Sequence, residues 1–147
     1  MGLAALILWV LTALGGAYML AKWVAGGGHR GGSTTKLPPA VVFGHFLLAA
    51  AGLVLWIIFV ATDNGTIGWV AFIALIPVAL LGVVMVARWI PTYRTGRAAT
   101  VGGQAAGAPQ GAEPERSFPV PVVVAHGLLA VTTVVLALLA VLHIVGS

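Results

Sequence analysis

The sequence predicts an all-α integral membrane protein, a four-helix bundle made of two parallel two-helix repeats. Three observations carry that prediction: four apolar runs long enough to cross a bilayer, charge confined to the connections, and one residue pattern that recurs in both halves. Of the 147 residues 61% are apolar and 7% charged, with a mean hydropathy of +1.11. Soluble domains carry about 25% charged residues, so lipid is the expected solvent and the whole chain reads as a single transmembrane domain. A hydrocarbon core of about 30 Å needs about 20 apolar residues in a helix, and such windows fall at about 3–25, 39–61, 67–90 and 119–145. These are continuous runs rather than the short alternating segments of a membrane barrel, so helices are predicted.

The connections orient the spans. Thr62-Asp63-Asn64-Gly65-Thr66 is a turn sequence short enough to make the second and third helices antiparallel neighbours. The first connection is rich in Gly and Ser and holds His29, which reads as solvated. The third, about 94–117, contains a stretch, 102–111, with too little bulky apolar surface to fold, and reads as flexible. Lys22, Arg30 and Lys36 border the first connection, and Arg88, Arg94, Arg97 and Arg116 the third. All seven basic residues therefore share one side, which by the positive-inside rule is cytoplasmic, leaving both termini and the Asp63 turn outside a bacterial-type inner membrane. The basic balance is thus topological, and no nucleic-acid partner is expected. The first span has no basic region ahead of it and no cleavage motif, so it reads as a retained helix.

Two alignments define the repeat. Gly16-Ala17-Tyr18-Met19-Leu20-Ala21-Lys22-Trp23 matches Gly82-Val83-Val84-Met85-Val86-Ala87-Arg88-Trp89, and the stretch Val41 to Ala49 around His45 matches Val122 to Ala130 around His126. Two spans per unit give both copies the same orientation, related by a pseudo-two-fold axis along the membrane normal. His45 and His126 then sit at equal depth and can face one another across that axis.

An ionisable residue inside a span is a functional candidate, because burying it without a partner is costly. The site class that fits is a haem b, near the cytoplasmic side, with both axial positions filled by imidazole. Ala49 and Gly52, with Ala130 and Thr133, supply small side chains one or two turns beyond each histidine, and Lys22 and Arg88 would answer the anionic propionates. Three other readings stand beside this one. Met19 and Met85 are core fillers, or join the histidines in a copper or other metal-handling and transport site. Lys22 and Arg88 are snorkelling anchors and Trp23 and Trp89 interfacial belt residues. The repeat serves only helix packing in an accessory subunit of a larger complex. Enzymatic catalysis is poorly supported, since Asp63, Glu113 and Glu115 all fall in connections and form no intramembrane carboxylate pair.

On its four spans and the pair His45 and His126, the chain resembles the membrane b-type cytochromes, four-helix proteins that hold haem between histidines on separate spans. The resemblance implies one-electron transfer within or across the bilayer. A quinone or a redox protein is the expected exchange partner, and a homodimer or a larger complex stands open beside a single chain. One departure matters: many such cytochromes hold two stacked haems, whereas the first-half counterpart of His143 is Thr62, so a second bis-histidine site within one chain has no partner.

Overall fold

The computed structural model describes residues 1–101 and 113–145. Within them it contains α1 (Gly2–Ala25), α2 (Pro39–Thr62), α3 (Gly65–Val101) and α4 (Val120–Val145), with a 3-10 turn, Pro114–Ser117, leading into α4. No strand occurs among the described residues, and each of the four helices is long and apolar enough to cross a membrane.

Local chemistry sets the helix ends. Proline tolerates the first turn because its missing N–H has no intrahelical acceptor there. The carbonyl of Pro38 accepts from the N–H groups of Val41 and Val42 at 2.9 and 3.1 Å, and that of Pro119 accepts from Val122 and Val123 at the same two distances. The two repeats thus start their second helices identically. At the far end of α2, Asp63 takes a left-handed conformation (φ 52°) and stops the helix. Asn64 then caps α3, its Oδ1 accepting from the N–H groups of Thr66 and Ile67 at 3.0 and 3.3 Å.

Two expectations about the third connection are corrected. α3 does not stop at Ile90 but runs through Pro91 to Val101. Proline forfeits one helical hydrogen bond; beyond it Tyr93 stacks on Trp89 of the same helix with centroids 5.2 Å apart, and Gly96 approaches the Arg116 side chain. Nor is 94–117 flexible throughout, because its start is helical and Pro114 and Glu115 at its end are buried. The stretch 102–111 lies outside the described residues.

The helices form a four-cornered bundle in which α1 packs most extensively on α4 and α2 on α3. The interfaces α1–α2 and α3–α4 are smaller and equal to each other, and the pairs α1–α3 and α2–α4 lie across the diagonals. This is the pattern that a two-fold exchanging α1 with α3 and α2 with α4 requires. Each half therefore packs mainly on the other half rather than on itself.

Burial follows the same symmetry. Ala5 and Ala71, Trp9 and Leu75, Thr12 and Val78, Trp23 and Trp89, Leu37 and Phe118, Gly52 and Thr133, Trp56 and Ala137, and Phe59 and Ala140 are equivalent pairs, and all sixteen residues are buried. In lipid, helices gain nothing from hiding apolar surface, so close van der Waals fit holds them together. Large rings therefore meet glycines: a Cβ on Gly52 would lie 3.1 Å from the Trp9 indole, and one on Gly68 would lie 3.0 Å from the Phe59 ring. Outward positions such as Leu14, Leu47, Leu80, Val83, Leu128 and Val131 are exposed and apolar, a surface suited to acyl chains.

Candidate functional site

Both predicted histidines are the seventh residue of their helix, α2 or α4, about 9 Å along from its start at 1.5 Å per residue. Their rings are neighbours: the centroids of His45 and His126 are 6.3 Å apart, with planes tilted by 58°. Each ring is fixed by the opposite repeat. His45 Nδ1 lies 3.0 Å from the carbonyl oxygen of Val78 on α3, and His126 Nδ1 lies 2.9 Å from that of Thr12 on α1. A carbonyl oxygen only accepts, so Nδ1 carries the proton in both rings. In the neutral imidazole this leaves Nε2 as the free lone pair.

The glycine that opens each copy of the repeat pattern makes room for the ring. A Cβ on Gly16 would lie 3.0 Å from His126 Cε1, and one on Gly82 would lie 3.4 Å from His45 Cε1. Each histidine therefore rests on a glycine and bonds the carbonyl one turn before it, the same construction twice. A hydrogen bond from the second ring nitrogen to a backbone carbonyl is the usual support of a metal-ligating histidine. Two imidazole nitrogens at about 2.0 Å on opposite sides of a shared ion set ring centroids about 6 Å apart, and at a tetrahedral angle about 5 Å.

Donor number bounds what the pair can hold. α2 and α4 lie across a diagonal of the bundle, and no Cα of one is within 8 Å of a Cα of the other. No group of three or more His, Cys, Asp or Glu side chains is present among the described residues. A structural zinc ion needs four ligands and a catalytic one three; a haem iron, with four nitrogens from its own macrocycle, needs two.

The remaining predicted residues distribute around this pair. Ala49 and Ala130, one turn beyond the histidines, are half-buried at equivalent positions. Gly52 is taken up by the Trp9 ring, and Thr133 is buried with its hydroxyl donating to the Leu129 carbonyl at 2.8 Å. Met19 and Met85 are half-buried and pack against the cluster formed by Trp23, Leu37, Val42, Trp89 and Phe118. Lys22 Nζ sits 5.8 Å from the centre of the Tyr18 ring, and Arg88 Nη1 donates to the Lys36 carbonyl at 3.4 Å. Neither cation bonds a histidine. His29 and His143 are exposed.

Aromatic layers close the histidine level from both sides. Toward the chain termini lie Trp9 and Trp56, with centroids 6.0 Å apart, in a core that also holds Phe59, Leu75 and Val141. Trp56 Nε1 donates to the Gly2 carbonyl at 3.1 Å. Toward the basic end, Trp23 Nε1 donates to Thr35 Oγ1 at 2.9 Å and Trp89 Nε1 to the Glu115 carbonyl at 3.1 Å. Trp23 and Trp89, expected as interfacial belt residues, are therefore buried and hydrogen-bonded inside the bundle.

Glu115, expected in a connection, is fully buried, and its carboxylate accepts from Thr35 Oγ1 at 2.8 Å and from the Lys36 N–H. It ties the two connections together beneath the tryptophans. Nothing in the repeat marks it, since its first-half counterpart is Thr34. The roles of Gly16 and Gly82, by contrast, were signalled by their place at the head of the repeated pattern. The sequence matches no protein-family model and no curated protein, and the fold matches no solved structure.

Proposed function

We propose that this chain is a membrane electron carrier that holds one haem b between His45 and His126. The observation that carries the reading is the duplicated support of the two rings: each has Nδ1–H bonded to a helix carbonyl of the opposite repeat, each lies on a glycine, and each keeps Nε2 free. Haem bound there would exchange single electrons between its ferric and ferrous forms.

The chain's own residues serve that chemistry in three ways. The carbonyls of Val78 and Thr12 lock the tautomer and orient the rings before any ligand arrives. With both His45 and His126 holding it, a haem would keep no position for a substrate, which would favour electron exchange. The layers of Trp9 with Trp56 and Trp23 with Trp89 restrict water at the histidine level from both ends. Trp9 and Trp56 fill the core on the terminal side of the histidines, and His143 has Thr62 as its first-half counterpart. The reading is thus of one haem, and of a quinone or redox protein exchanging electrons with it.

The test is an absorption spectrum of the full chain purified in detergent from cells supplied with haem. The expected result is a Soret band that moves and sharpens on reduction, with pigment lost in both His45→Ala and His126→Ala. A colourless protein would reject the proposal. Stoichiometric copper or zinc without a porphyrin spectrum, lost with the same substitutions, would replace it with a bare metal site.

A further inference from the structure

The two halves differ most at the basic end, where α3 continues about three turns beyond Trp89 while α1 stops two residues after Trp23. The position equivalent to Thr92 is Gly26, and there Pro114 fills the space: a Cβ on Gly26 would lie 2.9 Å from the Pro114 side chain. On the α3 side the corresponding region is open. A groove of about 390 Å³ runs there, its floor formed by Ala87, Pro91, Thr92 and Thr95 and its cationic rim by Lys36 and Arg88. Glu113 also borders it, but this carboxylate is paired with Arg116 at 2.6 Å. The Thr92 and Thr95 hydroxyls bond carbonyls of their own helix at 3.5 and 3.0 Å. Two cations are therefore the dominant charge facing the groove.

Its depth is that of lipid headgroups. From Gly65 to Arg88 the helix rises about 35 Å at 1.5 Å per residue, slightly more than the hydrocarbon thickness of about 30 Å. Below the groove, Leu80, Val83 and Val84 present an exposed apolar face along which acyl chains can lie. A phosphate at the rim, with its chains on that face, would satisfy charge and hydrophobicity together.

We propose that this groove binds the headgroup of an anionic phospholipid, with Lys36 and Arg88 receiving the phosphate. Basic recesses between membrane helices at the headgroup level favour such lipids, and each nearby cation contributes about five-fold in affinity. The groove has no symmetric copy, because Pro114 fills the space beside Gly26, the counterpart of Thr92.

The test uses the full chain reconstituted in nanodiscs containing equal phosphatidylglycerol and phosphatidylcholine, extracted into detergent and stripped stepwise, with retained lipid read by mass spectrometry. Phosphatidylglycerol should outlast phosphatidylcholine, and Arg88→Gln and Lys36→Gln should each lower its retention about five-fold. Arg30→Gln, which removes an exposed cation elsewhere on the same end, should leave it unchanged. Each variant is compared at equal helicity by circular dichroism, so that if one fails to fold the other carries the test. Equal retention of the two lipids, or retention unaffected in the folded variants, would overturn the proposal. Displacement by millimolar inorganic phosphate as readily as by added lipid would also overturn it, by reassigning the groove to free anions.

Discussion

The histidine level and the tryptophan layer nearer the termini are built by the same four helices under the same pseudo-two-fold, yet they obey the symmetry differently. At the histidine level the equivalent residues are identical: His45 with His126 and Gly82 with Gly16. In the other layer they are complementary: Trp9 with Leu75, Trp56 with Ala137, Phe59 with Ala140, each pair buried alike and each large partner contributed by the first half. Packing constrains the total volume delivered to a layer, so bulk can be divided unequally between the halves. A ligand pair constrains the chemical identity of each member. On the proposed function, the contrast separates what holds this bundle together from what would hold its ligand.

The sharpest way to break the comparison is to remove bulk from the terminal layer. Trp56→Ala should cost about 3–5 kcal/mol, read as a large fall in the thermal midpoint in detergent, with the reduced-minus-oxidised spectrum unchanged in shape. Adding Ala137→Trp should recover much of that loss, because the indole returns to the same layer from the opposite helix. Failure of the double variant to exceed Trp56→Ala in stability would show that the layer needs its particular partition of volume.

At the histidine level the expected effects are smaller in stability and larger in spectrum. Gly16→Ala places a Cβ 3.0 Å from the His126 ring and should cost about 1–3 kcal/mol with a marked loss of pigment. Gly82→Ala, with 3.4 Å to the His45 ring, should be milder on both counts. If the two behave alike, the small asymmetry between the halves at this level has no energetic meaning. The smallest change is expected for Thr12→Val, because His126 uses the Thr12 backbone carbonyl and the hydroxyl bonds only Leu8 of its own helix, at 2.8 Å. Its thermal midpoint should shift by no more than about 1 kcal/mol of stability, with an unaltered spectrum.

The four spans were legible because continuous apolar runs have one stable solution in lipid. The histidine pair was legible because duplication repeats it at the same place in each half. Two features were hidden for physical reasons. Pro91 reads as a helix end, yet the helix continues past it, where Tyr93 stacks on Trp89 and Gly96 meets the Arg116 side chain. Glu115 reads only as an acid in a connection, and Thr35 and Lys36, some eighty residues away, supply the donors that let it be buried. The choice of α4 over α2 as the main partner of α1 was hidden as well. These helices are apolar on nearly every face, so hydropathy does not say which face meets which.

Each imidazole is anchored by a helix from the opposite repeat, and this bears on how the protein is made. Chains emerge amino end first, so α1 and α2 enter the bilayer while the anchor for His45, on α3, is still being synthesised. Until then the first hairpin holds an unsatisfied ring and only its smaller helix interface. The anchor for Thr12's partner ring arrives in reverse order, waiting on α1 for the last helix. Insertion therefore completes the two settings in sequence: His45 can take its own once α3 is in place, and His126 only when the fourth span arrives.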